Sequence, residues 1–352
     1  MKVAASHLRE VSTALVRAMG TDAREASLVA DNLVMADMRG IPTHGVNFLP
    51  ILAERVERKM VALPTALKVV SDFGAVVHLD GGNGLGQTAA AQGMRACIEK
   101  ARRFGVGLAL IRHTNHIGLL AYYSLLAAEQ GMIGFCMCNG AASMAPWGGA
   151  EPFFGSNPFS VAAPGGGETP VVLDMSTTVV ARGKIRRAQR LKERIPLGWA
   201  LDAQGAPTED PEAAMKGTLL PIGGPKGYGI AFFIDLVCGL LAGSSYAREL
   251  KTFHKPEGPT GVGVTTLAID IARFMPLETF SPLVGEHVRS IRCSARAAAT
   301  CRIYLPGEIE AEKDRLSAER GVEVDDSVCQ ALDGLLAKKG LAMRLKDGKI
   351  PA

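Results

Sequence analysis

The sequence predicts an α/β or α+β architecture, and three observations carry that reading. Apolar residues recur at helical spacing over residues 1–70, strand and helix signals alternate over 76–138, and strand signals return near the C-terminal end. At 352 residues the chain is long enough for two or three packed lobes.

The elements follow in order. Leu8, Val11, Leu15 and Met19 share one face of a first helix that Gly20 ends. Asp22, followed by Glu25, opens a second, along which Ala26, Val29, Ala30, Leu33 and Ala36 continue. A third helix is predicted over 48–59, after the turn Gly40-Ile41-Pro42-Thr43-His44-Gly45. That placement puts Thr43 and His44 at a helix start, where exposed N–H groups favour anions. Residues 76–80 read as a strand, 87–104 as a helix, 106–111 as a strand, 118–130 as a helix and 133–138 as a strand. A Gly/Pro/Asn-rich stretch follows over 139–167, interrupted by Phe153-Phe154 and the apolar piece 159–163. The short strand 171–174 leaves Asp174 and Ser176 in the loop beyond it. Residues 230–243 are too few to span a bilayer and include Asp235, so they read as a buried helix. Strands at 266–271 and 299–305 and helices at 310–320 and 327–338 complete the chain, with no internal repeat.

Composition excludes several function classes. Apolar residues make up 47% and charged residues 21%, an ordinary globular balance. A net charge of +4, without a long Lys/Arg run, argues against nucleic acid or membrane as a partner. The densest basic stretch, 182–194, reads as a solvated helix face or an anion contact. Cys136 and Cys138 form C-x-C, which lacks zinc-knuckle spacing, so no metal site is expected. The odd number of cysteines, seven, mostly among apolar neighbours, reads as buried free thiols in a reducing cytoplasm. The N-terminus has no apolar h-region, so no secretory signal is expected.

Gly81-Gly82-Asn83-Gly84-Leu85-Gly86 sits between a strand and a helix and imitates a dinucleotide loop. Counting G-x-G-x-x-G from Gly82 places Gln87 where the third glycine belongs, and no acidic residue ends a second strand further on. The preferred reading is a tight strand-to-helix turn.

A different set of motifs is far more specific in combination. Arg39-Gly40-x-x-Thr43-His44-Gly45 is followed by Asn115-His116-x-Gly118, with Tyr122 and Tyr123 behind it. Gly155-Ser156-Asn157-Pro158, Asp174-Met175-Ser176-Thr177 and Arg182-Gly183-Lys184-Ile185 come next. Ile195-Pro196-Leu197-Gly198-Trp199-Ala200 and Gly205-x-Pro207-Thr208-x-Asp210-Pro211 precede Pro221-x-Gly223-Gly224-x-Lys226-Gly227-Tyr228-Gly229 and Pro306-Gly307-Glu308. In unbroken order, these resemble the malate/L-lactate dehydrogenase-like family, which also holds ureidoglycolate and sulfolactate dehydrogenases, diketogulonate reductases and Δ1-piperideine-2-carboxylate reductases. The resemblance implies a non-Rossmann nicotinamide-binding sheet domain over 76–305. It also implies a helical lobe over 1–75, completed by 306–352, and a homodimer.

Reduction of a 2-oxo acid needs a proton donor for the developing alkoxide, a site for the carboxylate and exclusion of water. Of the seven histidines, only His44 and His116 lie in turns flanked by glycine and small polar residues. The resemblance places both at the active site. His44 is then the expected proton donor and acceptor, with Asp174 as the partner that fixes its tautomer. His116 would bind the substrate oxygen or exchange roles with His44, and Thr43 would offer its hydroxyl to substrate. Many relatives read S-H-G-x-x-R, with an arginine that clamps the substrate carboxylate, whereas this chain has Phe48 there. Arg39 or helix N-terminal amides would then take the carboxylate. For NAD or NADP, the resemblance implies Gly118, Leu119, Leu120, Asp174, Met175, Ser176, Thr177, Lys226, Gly227, Pro306, Gly307 and Glu308. Arg182, Lys184, Arg186 and Arg187 are candidates for a 2′-phosphate or for a solvated face. The expected activity is an NAD(P)-dependent 2-hydroxy acid/2-oxo acid oxidoreductase acting on a small carboxylate. A cyclic-imine reductase and a non-catalytic cofactor-binding protein are the alternatives.

Overall fold

The structure, a computed structural model, describes residues 1–350. A two-residue strand β1 (Lys2–Val3) leads into α1 (Ala5–Ala18) and α2 (Ala23–Met38). Leu8, Val11 and Leu15 are buried along α1, on the face that their spacing marks. Asp22 caps α2 by accepting the Glu25 N–H at 2.7 Å, a bond that stabilises such a helix end by about 1 kcal/mol. Glu25 does not complete a reciprocal capping box, because its carboxylate accepts from Thr88 Oγ1 at 3.0 Å. Two single turns of 3-10 helix, Pro42–His44 and Val46–Phe48, precede α3 (Leu49–Glu57). Thr43 and His44 therefore sit in a tight double turn and not at the start of the third helix. Pro42 fixes φ in the first turn, and Pro50 fits the first turn of α3, where its missing N–H costs nothing.

Strands β2 (Lys68–Phe73) and β3 (Val76–Asp80) lead to α4 (Gly86–Phe104), β4 (Val106–Thr114), α5 (Ala121–Ala128) and β5 (Met132–Cys138). Next come β6 (Phe159–Gly165), β7 (Glu168–Met175), α6 (Arg182–Leu191), β8 (Ala200–Leu201), α7 (Pro211–Lys216) and β9 (Thr218–Leu219). Helix α8 (Pro225–Asp235), β10 (Val262–Asp270), α9 (Leu277–Cys293), α10 (Glu308–Arg320), β11 (Val322–Glu323) and α11 (Asp326–Lys338) end the chain.

The main sheet has seven strands in the order β2-β3-β4-β10-β5-β6-β7, and its only parallel pair is β3 with β4. A doubly wound nucleotide-binding sheet is parallel throughout most of its width, so this topology is a different solution. Successive residues of β10 point to opposite faces and show what covers each. Cys97 of α4 donates to Thr266 O at 3.2 Å, while Cys238, beyond α8, lies 3.2 Å from Thr265 Oγ1. Helices α4 and α5 thus pack on one face, and the segment after α8 covers the other.

A separate core joins the two ends of the chain: Leu8, Leu15, Leu33, Leu49 and Leu52 pack with Val322, Leu332, Leu336 and Leu345. A second core lies between α4, α5 and the sheet, and a smaller third one holds Ile185, Ala188 and Ile195 against Ala231.

Several expectations are corrected. Residues 299–305 form no strand, and the apolar piece 159–163 belongs to β6. The segment 230–243 is not a buried helix: α8 passes into a π-helical stretch (Leu236–Leu241), and its Phe233 and Leu241 are 64% and 62% exposed. Strand β2 and helix α9 have weak sequence signals, because β2 has no buried face and Pro282 interrupts the α9 pattern. The Gly81–Gly86 segment is a tight turn. Gly84 N–H donates back to Gly81 O at 2.9 Å, and the backbone of Asn115 and His116 packs against Gly86 so closely that no Cβ fits.

Candidate active site

The turn that carries His44 is built around a buried carboxylate. Asp37, near the end of α2, accepts the Val46 N–H at 2.8 Å, and a Cβ on Gly45 would collide with its oxygens. Burial raises the Asp37 carboxyl to about 7, partly offset by that backbone hydrogen bond. His116 is fixed from another direction. Asn115 donates its side-chain amide to Asn83 O, Asn83 Oδ1 and Gly84 O at 3.0, 3.0 and 2.9 Å, which pins the end of β4 to the glycine turn. These two anchors bring the His44 and His116 rings to 5.5 Å between centroids, tilted by 25°.

Hydrogen bonds set the tautomers. Gly118 N–H donates to His116 Nδ1 at 3.1 Å, so a neutral His116 carries its proton on Nε2. Thr43 Oγ1 lies 3.0 Å from His44 Nδ1, and either atom can be the donor. Burial lowers His44 to about 4, helped by the nearby His254. Burial also drives His116 well below the ordinary histidine value, with His44 and His254 adding to the effect. Both rings are therefore neutral at pH 7, and the pair holds one proton far more easily than two.

An aromatic wall closes the site. Phe48 stacks on His116 at 4.3 Å and 14°, and Phe253 lies 5.5 Å from both rings. His254 is 5.8 Å from Phe48. The loop carrying Phe253 and His254 is strapped down by Arg55 of α3, whose side chain is almost wholly buried. Its guanidinium donates to Phe253 O, Lys255 O and Gly258 O at 3.3, 3.0 and 2.7 Å and lies 4.8 Å above the Phe253 ring.

Most of the other expected residues have partners of their own. Asp174 does not reach His44, whose Nδ1 is met by Thr43. Its carboxylate accepts the Ala121 N–H at 2.7 Å, and burial raises it to about 6. Arg39 also stays away from the histidines: it is buried at the end of α2, its charge acts on Asp174 and Asp314, and its Nε has no hydrogen-bond partner. In the 118–120 turn, Gly118 donates to His116 and Leu119 N–H to Asn32 Oδ1 at 3.2 Å, so neither N–H is offered to a ligand, and Leu120 is buried. Thr177 spends both its N–H and its hydroxyl on Ser156 O, at 2.8 Å each. Met175 ends β7, and Ser176 Oγ lies 3.0 Å from Thr178 Oγ1. Ile222 N–H donates to Thr177 O at 2.9 Å and Gly227 N–H to Ile222 O at 2.8 Å, which docks the segment carrying exposed Lys226 on the 174–178 loop. Pro306 O accepts the Val172 N–H at 3.1 Å, Gly307 turns with φ of +80°, and Glu308 is paired with Arg292 and Arg302.

Comparison with known proteins supplies the decisive observation. The chain matches the family model described as malate/L-lactate dehydrogenase over residues 3–333. The chain belongs to the malate/L-lactate dehydrogenase family. It is 33% identical over 335 residues to ureidoglycolate dehydrogenase (NAD(+)) of Escherichia coli strain K12, covering 94% of this chain and 95% of that one. It is 37% identical over 272 residues to (2R)-3-sulfolactate dehydrogenase (NADP(+)) of Chromohalobacter salexigens, covering 76% and 81%. The solved sulfolactate dehydrogenase from Methanocaldococcus jannaschii superposes with a TM-score of 0.93 at 34% identity, over 99% of each chain. The malate/L-lactate dehydrogenase family is a family of oxidoreductases, and this member has its non-Rossmann fold.

Several residues of this malate/L-lactate dehydrogenase family member escaped sequence reading. Asp37 stands in an ordinary amphipathic helix, and only the glycine at 45 hints that something must lie close to that turn. His254 has no motif around it and joins the histidine pair through the fold alone. Arg55 looks like a solvated helix residue, yet it is 1% exposed.

Proposed function

We propose that this protein is an NAD(P)-dependent oxidoreductase interconverting a 2-hydroxy acid and a 2-oxo acid. The observation that carries the reading is the neutral, stacked His44–His116 pair, sealed by Phe48 and Phe253. When bound, NAD or NADP supplies or accepts the hydride. Asp174 and Ser176 suit the hydroxyls of a ribose, and Lys226 suits a phosphate. Gly227 lets the Lys226 segment pack on Ile222 and Thr177, which sets Lys226 beside the 174–178 loop, where a dinucleotide phosphate would lie.

The chain's own residues divide the remaining work. His116, held by Gly118 with its proton on Nε2, directs that N–H at the substrate carbonyl oxygen. His44 is the base in oxidation and, once it has taken up a proton, the donor in reduction, with Thr43 as the hydroxyl that sets its Nδ1. Phe48 and Phe253 keep water from both rings. A second reading, reduction of a cyclic imine, draws support from Phe48, an uncharged residue stacked on His116.

Assembly as a cytoplasmic homodimer accompanies this reading, along with a division into a helical lobe (1–75 with 306–352) and a cofactor domain (76–305). The exposed apolar side chains Ile230, Phe233, Leu240 and Leu241 support a partner surface, and five buried free thiols support a reducing compartment. Among the described residues, no helix is long and apolar enough to cross a membrane.

The test is absorbance at the reduced-nicotinamide band, with NADH and NADPH separately, over pyruvate, oxaloacetate, 2-oxoglutarate, 3-sulfopyruvate, diketogulonate and Δ1-piperideine-2-carboxylate. Turnover of a 2-oxo acid is the expected result. Turnover of the cyclic imine alone selects the second reading, and silence across the panel overturns both.

A further inference from the structure

A 2-oxo acid brings a carboxylate next to its reacting carbonyl, and burying that charge without a cation is strongly unfavourable. The wall beside the histidine pair offers none, since Phe48 stacks on His116. Arg39 is buried at the end of α2, where its charge acts on Asp174 and Asp314, and Arg55 is spent on three carbonyls.

One stripe of α6 meets the turn that carries His44. Gly183, in its first turn, packs so closely on Thr43 that an added Cβ would stand 2.8 Å from Thr43 Cγ2. Two turns on, Arg190 reaches Asp325 at 4.0 Å, at the start of α11. Positions 183, 186, 187 and 190 share one helix face, whereas Ile185 and Ala188 point into the small core behind. Arg186 therefore projects toward the helices of the chain ends, between the Thr43 turn and Asp325, and is exposed. Burial and the Arg186 charge together hold His254 below its ordinary value, which puts the guanidinium within electrostatic reach of the ring beside Phe48. Arg182, one turn back, is tied to Met215 O at 2.7 Å.

We propose that Arg186, with His254 beside it, is the carboxylate-binding site of this enzyme. It would enter from α6 and hold the substrate carboxylate while the carbonyl faces His44 and His116. A planar guanidinium suits this anion, and the neutral imidazole adds a hydrogen-bond donor. This inference rests on the 2-oxo acid reading above. The same cation could instead meet the 2′-phosphate of NADP, so the experiment separates the two anions.

Steady-state kinetics would compare the wild type with Arg186→Gln, Arg186→Lys and Arg190→Gln. Each would use the best 2-oxo acid of the panel, its methyl ester, NADH and NADPH. The expected result is a KM for the acid raised about ten- to a hundredfold in Arg186→Gln, partly restored by lysine, with the KM for both cofactors unchanged. The ester should lose little in Arg186→Gln, which general damage to the fold would not spare, and Arg190→Gln should match the wild type. An unchanged KM for the acid, equal losses for acid and ester, or a rise confined to NADPH would overturn the assignment. A wild type that turns over no 2-oxo acid fails one step earlier, at the parent reading.

Discussion

At the scale of single residues, the site is governed by groups whose charged forms burial disfavours. His44 is lowered to about 4 and Asp37 raised to about 7, each mainly by desolvation. With a base already unprotonated at pH 6, kcat/KM for oxidation of the hydroxy acid should stay flat from pH 8 down to 6. Its acid limb should appear near 4, well under the ordinary histidine range; a limb at 6.5 in the pH–rate profile would contradict it. His44→Ala should lower kcat about 10²- to 10⁴-fold while cofactor affinity, followed by nicotinamide fluorescence, holds. For Asp37 the folded pKa is raised, so its contribution to stability is present below the unfolded value of 3.8 and lost as pH rises through about 7. Asp37→Asn can keep the bond to Val46 N–H but cannot ionise. Its Tm should therefore rise relative to the wild type between pH 4 and 8, as thermal melts across that range would show.

At the scale of elements, the Arg55 strap joins α3 to the 253–258 loop. Arg55→Met removes a charged donor from three carbonyls and should cost about 3 kcal/mol, measured as a lower denaturant midpoint. The 253–258 amides should also lose hydrogen-exchange protection. Legibility from sequence followed the same division between local and long-range causes. Helices α1, α2, α4, α10 and α11 and strand β3 were readable because caps and periodicity are local. Strand β10 was found only in its C-terminal half, and β2, an edge strand with every residue exposed, has no alternation to read. Of the site, His44 and His116 announced themselves through glycine-flanked motifs. Asp37, Phe253, His254 and Arg55 did not, because each acts across a fold that brings distant segments together.

At the scale of the whole molecule, two surfaces matter. The sheet is covered on one side by α4 and α5, and on the other by a segment whose outer side chains, including Phe233 and Leu241, face outward. If that surface meets a second copy, Phe233→Glu combined with Leu241→Glu should halve the mass seen in sedimentation equilibrium without changing the far-UV spectrum. A wild type that already sediments as a monomer would end that expectation.

The loop bearing His254 is held by an arginine of α3, and α3 itself rests through Leu49 and Leu52 on the core that Leu332 and Leu336 of the last helix complete. The grip on the aromatic wall is therefore only as firm as the packing of the chain's two ends, far from any residue that meets the substrate.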